Sequence, residues 1–256
     1  MVSLLDVKNK QFNIGEIVTL KSHPLAFQKG GLIDTSINHI PPFMCVKEIH
    51  FERKKKEYSA EVAGKQIADN TKYVCVYFNQ YKMQFEEKFI YHNMLLKLTK
   101  ENFTFHNNDY FNSTKVNDSD KSLLEETDGL SEAEYIYGIR VFFKTYKIEL
   151  RKKIRQHDLK SRNYSSKKAN VHTSPAFILS GIKNNEEKSV YNEKDGNPIK
   201  ITSDKLFKVL WYNSYQEKMS QEYMPKEFFT DDERIYSQSK EDNGEKVNDN
   251  KSETEK

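Results

Sequence analysis

The sequence predicts a mainly β protein: two tandem small β-barrels joined by an acidic linker and followed by a disordered C-terminal tail. Three observations carry that expectation. The run Tyr73, Val74, Cys75, Val76, Tyr77, Phe78, Asn79, Gln80, Tyr81 has a near-twin 134 positions later in Phe207, Lys208, Val209, Leu210, Trp211, Tyr212, Asn213, Ser214, Tyr215. The offset continues without a gap, matching Pro41 with Pro175, Phe43 with Phe177, Met44 with Ile178, Phe89 with Tyr223 and Met94 with Phe228. Upstream, the octet from Gly15, with Val18, Leu20 and Lys21, echoes the octet from Gly138, with Val141, Phe143 and Lys144, at a slightly shorter offset. Self-similarity at a fixed spacing is the mark of a duplicated module. Second, aromatics make up 12% of the chain, and rings with β-branched residues favour strands. Third, short apolar runs recur at roughly ten-residue spacings with turn residues between them, as in small closed sheets.

The first module is expected over 1–98. Gly15 turns the chain into a strand over 16–21, whose Ile17, Val18 and Leu20 are apolar. His23-Pro24 and Gly30-Gly31 mark a long loop, and Pro41-Pro42 introduces a strand over 43–51. A polar excursion from Arg53 leads to the third strand, 73–79, and Asn79-Gln80 turns into a fourth over 82–89. Asn93 to Leu98 closes the unit as a helical turn or a last strand. Residues 99–130, poor in aliphatics, read as a linker.

The second module is expected over 131–230. Its opening stretch admits two readings. Tyr135, Ile139, Phe142, Phe143, Tyr146, Leu150 and Ile154 share a helical face. Gly138 and the density of ring and β-branched residues favour a strand over 139–148 instead, as does the echo of Gly15. Strands then follow over 175–179, 205–212 and 216–223, with a loop over 183–198 containing Asp195-Gly196 and a closing segment from Pro225 to Phe229. From 231 onward almost nothing is apolar after Tyr236, which reads as disorder.

Several classes are disfavoured. No apolar run approaches the roughly 20 residues that span a bilayer, and the first residues lack the pattern of a secretory leader. Cys45 and Cys75 read as buried thiols in a reducing cytoplasm. None of the seven histidines has a metal-ligand spacing partner, and no nucleophile elbow or phosphate-binding glycine loop appears. The expectation is therefore a non-enzymatic protein without metal or cofactor. Abundant Lys, Asn, Tyr, Phe and Ile suggest an AT-rich bacterial genome.

Net charge is +3, but its distribution is uneven. Between 144 and 168 ten basic residues face only Glu149 and Asp158; between 100 and 134 three lysines face nine acids. Lys144, Arg151, Lys152, Lys153, Arg155, Arg162, Lys167 and Lys168 are candidates to neutralise nucleic-acid phosphates. Tyr77, Tyr81, Trp211 and Tyr215, at the ends of the twin strands, are candidates to stack bases or receive a partner side chain.

Gly15, Val18, Leu20, Lys21 and Ser22, then Pro42, Met44 and Val46, then Val74, Val76, Tyr77 and Phe78, then Phe89 and Met94 form an order that resembles the small bacterial proteins of the YodC type. Cys75 and Tyr77 stand where that family carries Cys and Trp, and the second module keeps Trp211. The resemblance implies SH3-like barrels and no catalytic residues. A fainter likeness of Leu210-Trp211-Tyr212 and Glu227-Phe228-Phe229 to BAH and Tudor-type readers implies the same barrel class. Two functions are expected from these residues: binding of DNA or RNA by the basic segment with exposed rings, or a protein-interaction adaptor with two tethered barrels.

Overall fold

The computed structural model describes residues 12–26, 39–52, 70–98, 103–107, 137–155, 164–231 and 233–238. Helix among them is confined to short 3-10 turns, and the fold is mainly β. The first unit holds β1 (Ile17–Leu20), β2 (Met44–Phe51), β3 (Thr71–Asn79), β4 (Gln84–Tyr91) and β5 (Leu95–Lys97). Next come β6 (Phe103–Asn107), β7 (Arg140–Phe143), β8 (Lys147–Arg155) and β9 (Tyr164–Val171). They are followed by β10 (Ala176–Asn184), β11 (Val190–Tyr191), β12 (Pro198–Thr202) and β13 (Lys205–Asn213). The chain continues through β14 (Lys218–Pro225), β15 (Phe229–Thr230) and β16 (Arg234–Gln238).

One strand order appears twice. In the first unit β4 pairs β3, β3 pairs β2, β2 pairs β1 and β1 pairs β5; in the second, β14, β13, β10, β7 and β15 pair in the same succession. The correspondence reaches single residues. Gly15 and Gly138 take left-handed φ values of 77° and 79°, and each donates its N–H to a carbonyl of the neighbouring strand, Val46 and Leu179, at 2.8 Å. That backbone favours glycine, and a Cβ on Gly15 would also lie 2.6 Å from the Glu227 Cβ. A β-bulge interrupts both ladders at matching places, between Val46 and Glu48 and between Leu179 and Gly181. Both units close with a 3-10 turn, His92–Met94 or Lys226–Phe228, leading into the last strand. The register corrects one detail. Val18 opposes Met44, and Val141 opposes Phe177, so Phe177 stands where Met44 does, and the gapless 134 spacing begins only at β3.

Strand alternation explains what is buried. In β13, Phe207, Val209 and Trp211 point inward and are buried, with Lys208, Leu210 and Tyr212 between them on the other face. In β3 both faces are covered. Tyr73 and Cys75 lie in a core with Phe12, Val18, Met44, Val46, Ile49 and Leu95. Val76 and Phe78 lie with Cys45 and Phe85 in a second core, whose other members come from the second unit, among them Phe143, Phe177, Trp211 and Phe229. The outer face of the first sheet is thus seated on the inner face of the second. Phe85 stands among the rings of the second unit, stacked on Phe177 at 5.4 Å and edge-on to Phe143 at 5.3 Å and Trp211 at 5.7 Å.

This arrangement departs from two barrels, each with a core of its own. No sheet among the described residues closes on itself, and one core is shared. The β11–β12 hairpin, from a loop of the second unit, adds to the first unit's sheet through β2, with Lys200, Ile201 and Thr202 opposite His50, Ile49 and Glu48. Cys45 and Cys75 sit on neighbouring strands as free thiols in different cores. Burial pushes both thiols up to about 12.

The expected strand over 139–148 is divided. It runs as β7, turns at 144–146 with the Tyr146 N–H donating to Phe143 O at 2.7 Å, and leaves for a third sheet as β8; no helix forms there. That sheet has the order β6-β16-β8-β9. β6 lies in the segment expected to be linker, and β16 in the segment expected to be disordered tail. Ile148, Leu150 and Val171 at the base of β8 and β9 pack with Ile40 and Phe43 of the first unit. Most of the expected polar excursion after Arg53 lies outside the described residues.

Candidate nucleic-acid interface

The basic segment forms an antiparallel ribbon. Its ladder sets Arg151 opposite Lys168, Lys152 opposite Lys167, Lys153 opposite Ser166 and Arg155 opposite Tyr164. Alternation assigns Ile148 and Leu150 to the face that packs on the core, and positions 149, 151, 153 and 155 to the other. Beyond the anchored base, both strands therefore carry cations at directly opposed positions. Arg151 and Lys152 are half-buried. Arg162 lies outside the described residues, and for Lys153, Arg155, Lys167 and Lys168 only the strand positions are described.

Lys144 does not join this ribbon. It lies in the turn between β7 and β8, where its ammonium donates to Gly15 O at 3.1 Å, beside the point where Gly15 meets Glu227. It is a clamp between the two units.

The hairpin turns of the twin units are built alike. Asn79 Oδ1 accepts the N–H groups of Tyr81 and Lys82 at 3.0 and 3.2 Å; Asn213 Oδ1 accepts those of Tyr215 and Gln216 at 3.0 Å each. An asparagine that satisfies the backbone two residues on is the local reason the chain turns there. Met83 and Glu217, four residues after each asparagine, both take φ of 52°. The two turns are also joined: Trp211 Nε1–H donates to Met83 O at 2.9 Å, and Asn213 Nδ2 donates to the same oxygen at 3.0 Å. Across the first turn, Thr173 Oγ1, just past the end of β9, donates to Gln80 Oε1 at 3.2 Å. The base of the basic ribbon and both hairpin turns therefore meet in one region.

Of the four ring candidates, two are presented to solvent. Tyr81 is 65% and Tyr215 69% exposed. Trp211 is only 4% exposed, in the shared core; the outward ring of that pair is Tyr212. The signal was present in the alternation of Phe207, Val209 and Trp211 against Lys208. Tyr77 is half-buried, donates its hydroxyl to Glu86 Oε2 at 2.5 Å, and is pushed up to about 12 by burial and by that carboxylate. Glu86 in turn accepts from Lys82 at 2.8 Å and Asn79 at 3.1 Å. The hydrogen bonds from Lys82 and Tyr77 hold its carboxyl down at about 2, so the charge beside the first turn is already compensated.

Sequence reasoning missed the outer face of the second unit, where Ile178, Tyr212 and Met219 are exposed, and the β11–β12 hairpin. A cavity of about 310 Å³ opens beside Val141, Leu179, Phe207 and Phe229, with Lys226 and Glu227 at its margin. Among the described residues no group of His, Cys, Asp or Glu is arranged to hold a metal ion, and no helix is long and apolar enough to cross a membrane. No family model matches the chain, and neither the curated proteins nor the solved structures contain a match to it.

Proposed function

We propose that this protein is a non-enzymatic nucleic-acid-binding protein that grips the phosphate backbone of DNA or RNA with the β8–β9 ribbon. The observation that carries the reading is the register that opposes Arg151 with Lys168 and Lys152 with Lys167. A ribbon with basic residues on both strands concentrates positive charge for a polyanion to neutralise, and counterion release supplies the driving force. Each five-stranded unit is read here as an SH3-like module, and the pair as an ancestral duplication; the twice-repeated strand order and bulge support this.

The test is a fluorescence-anisotropy titration of labelled DNA and RNA with the full chain at two salt concentrations. Binding should weaken steeply with salt, with a log–log slope of about −0.9 per phosphate contacted on duplex DNA. Reversing charge at Arg151, Lys152, Lys153 and Arg155 should weaken binding and flatten that slope. Absence of binding at low salt ends the reading.

One observation favours an adaptor as the second reading: the exposed apolar outer face of the second unit around Tyr212 and Met219. A partner retained through nuclease treatment and high salt, and lost on Met219→Lys, would replace the first reading with this one.

A further inference from the structure

The two turns that end the twin hairpins have features that phosphate binding does not use. Each projects one tyrosine, Tyr81 or Tyr215, and these are the two most exposed large hydrophobic side chains among the described residues. Neither turn is loose. Each is tied by an asparagine that accepts two backbone N–H groups, and the turns are joined through Met83 O to Trp211 and Asn213. Asn213 Nδ2 also lies 3.4 Å from Lys82 O across that junction. A Thr173–Gln80 hydrogen bond connects the first turn to the base of the cationic ribbon. Two rings on a pre-formed support therefore stand beside the base of the ribbon, within reach of a strand that continues from it.

Exposed rings on rigid projections can stack on a nucleobase only where that base is free of its own stack. In a duplex the bases are inside, and reaching one requires unpairing it. In a single strand each base offers a π-face, and stacking is tolerant of sequence. We propose, resting on the nucleic-acid reading above, that Tyr81 and Tyr215 form a stacking platform that selects single-stranded over double-stranded nucleic acid. The ribbon supplies the sequence-independent grip, and the platform supplies the preference for unpaired bases.

The experiment compares the full chain on three labelled probes at one low salt concentration: oligo-U and oligo-dT of about 15 nucleotides, and a mixed-sequence duplex of about the same length. The single strands should bind tighter than the duplex. Tyr81→Ala and Tyr215→Ala should each weaken single-strand binding by about tenfold, with little change on the duplex. Tyr81→Phe and Tyr215→Phe keep the ring face and should bind as the parent does. Tyr191→Ala, also exposed, is the control, because the β11–β12 hairpin joins the end of the first sheet opposite the turns. Equal binding of duplex and single strands, or single-strand binding indifferent to both alanine variants, overturns the platform and leaves the phosphate grip standing. Failure to bind any of the three probes overturns both.

Discussion

Cys45, Val76, Phe78 and Phe85 on the outer face of the first unit are 0%, 0%, 2% and 8% exposed. Their register counterparts Ile178, Tyr212 and Met219 in the second unit are 37%, 56% and 57% exposed, and Leu210 is half-buried. The strand order, bulge and turns are the same, so local structure does not set this difference. What differs is the neighbour: the first unit's outer face rests on the second unit's rings, and among the described residues no comparable sheet covers the second unit's. Burial in this protein follows from how the units are stacked.

Truncating matched residues on the two faces tests that comparison most severely. Phe85→Ala removes a ring that touches Phe78, Phe143, Phe177 and Trp211. It should cost about 3–5 kcal/mol in urea unfolding, whereas Met219→Ala at the matching position should stay within about 0.5 kcal/mol. Equal costs would mean the units do not share a core.

A second comparison sets His23 against Tyr146, the residues that close the equivalent turns after β1 and β7, where His23 N–H donates to Leu20 O as Tyr146 N–H does to Phe143 O. His23 is buried against Phe43, and burial, then the neighbouring His172, lowers it from 6.5 to about 4. A folded value below the unfolded one means the unfolded chain takes the proton first. Stability should therefore be unaffected by this group above pH 6.5 and fall as pH drops from 6.5 towards 4, by an amount on the order of 3 kcal/mol. In His23→Phe the fall over that window should shrink. An unchanged acid limb of the denaturation profile would show that His23 is protonated normally.

The smallest effect separates the turns. Asn79→Ala and Asn213→Ala each lose two accepted N–H groups and one donated bond, to Glu86 Oε1 and Met83 O respectively. Asn213, however, is buried and its loss leaves Met83 O across the junction without that donor, whereas Asn79 is half-buried. Asn213→Ala should therefore cost about 1 kcal/mol more than Asn79→Ala by thermal unfolding. Equal costs would deny the turns their mutual support.

How much was legible beforehand depends on the range of the interaction. Gly15, Gly138, Asn79 and Asn213 announce their turns because the backbone they adopt is decided by one or two residues. Tyr81 and Tyr215 follow directly as exposed rings beyond those turns. The apolar run from Tyr73 to Phe78 marks a strand, but that both of its faces are covered is decided by the second unit. The pair Trp211-Tyr212 by itself leaves open which ring faces outward, so Trp211 is a stacking candidate from sequence; the inward parity of Phe207 and Val209 places it in the core. The ribbon's cations were visible as a charge run, while the opposition of Arg151 and Lys168 is a property of pairing across a segment of chain that composition alone reads as loop.

By itself the sequence determined the β character, the two matching units, their turns and the location of positive charge, since each rests on residues a few positions apart or on a direct repeat. The tertiary structure alone decided that the units share a core, that β12 joins the first sheet, that β16 lies beside β8, and that both tyrosine-bearing turns meet the base of the ribbon. Those outcomes depend on which of several apolar faces and open strand edges come together. Hydrophobic burial is non-directional, so it marks a face as needing cover without naming the partner.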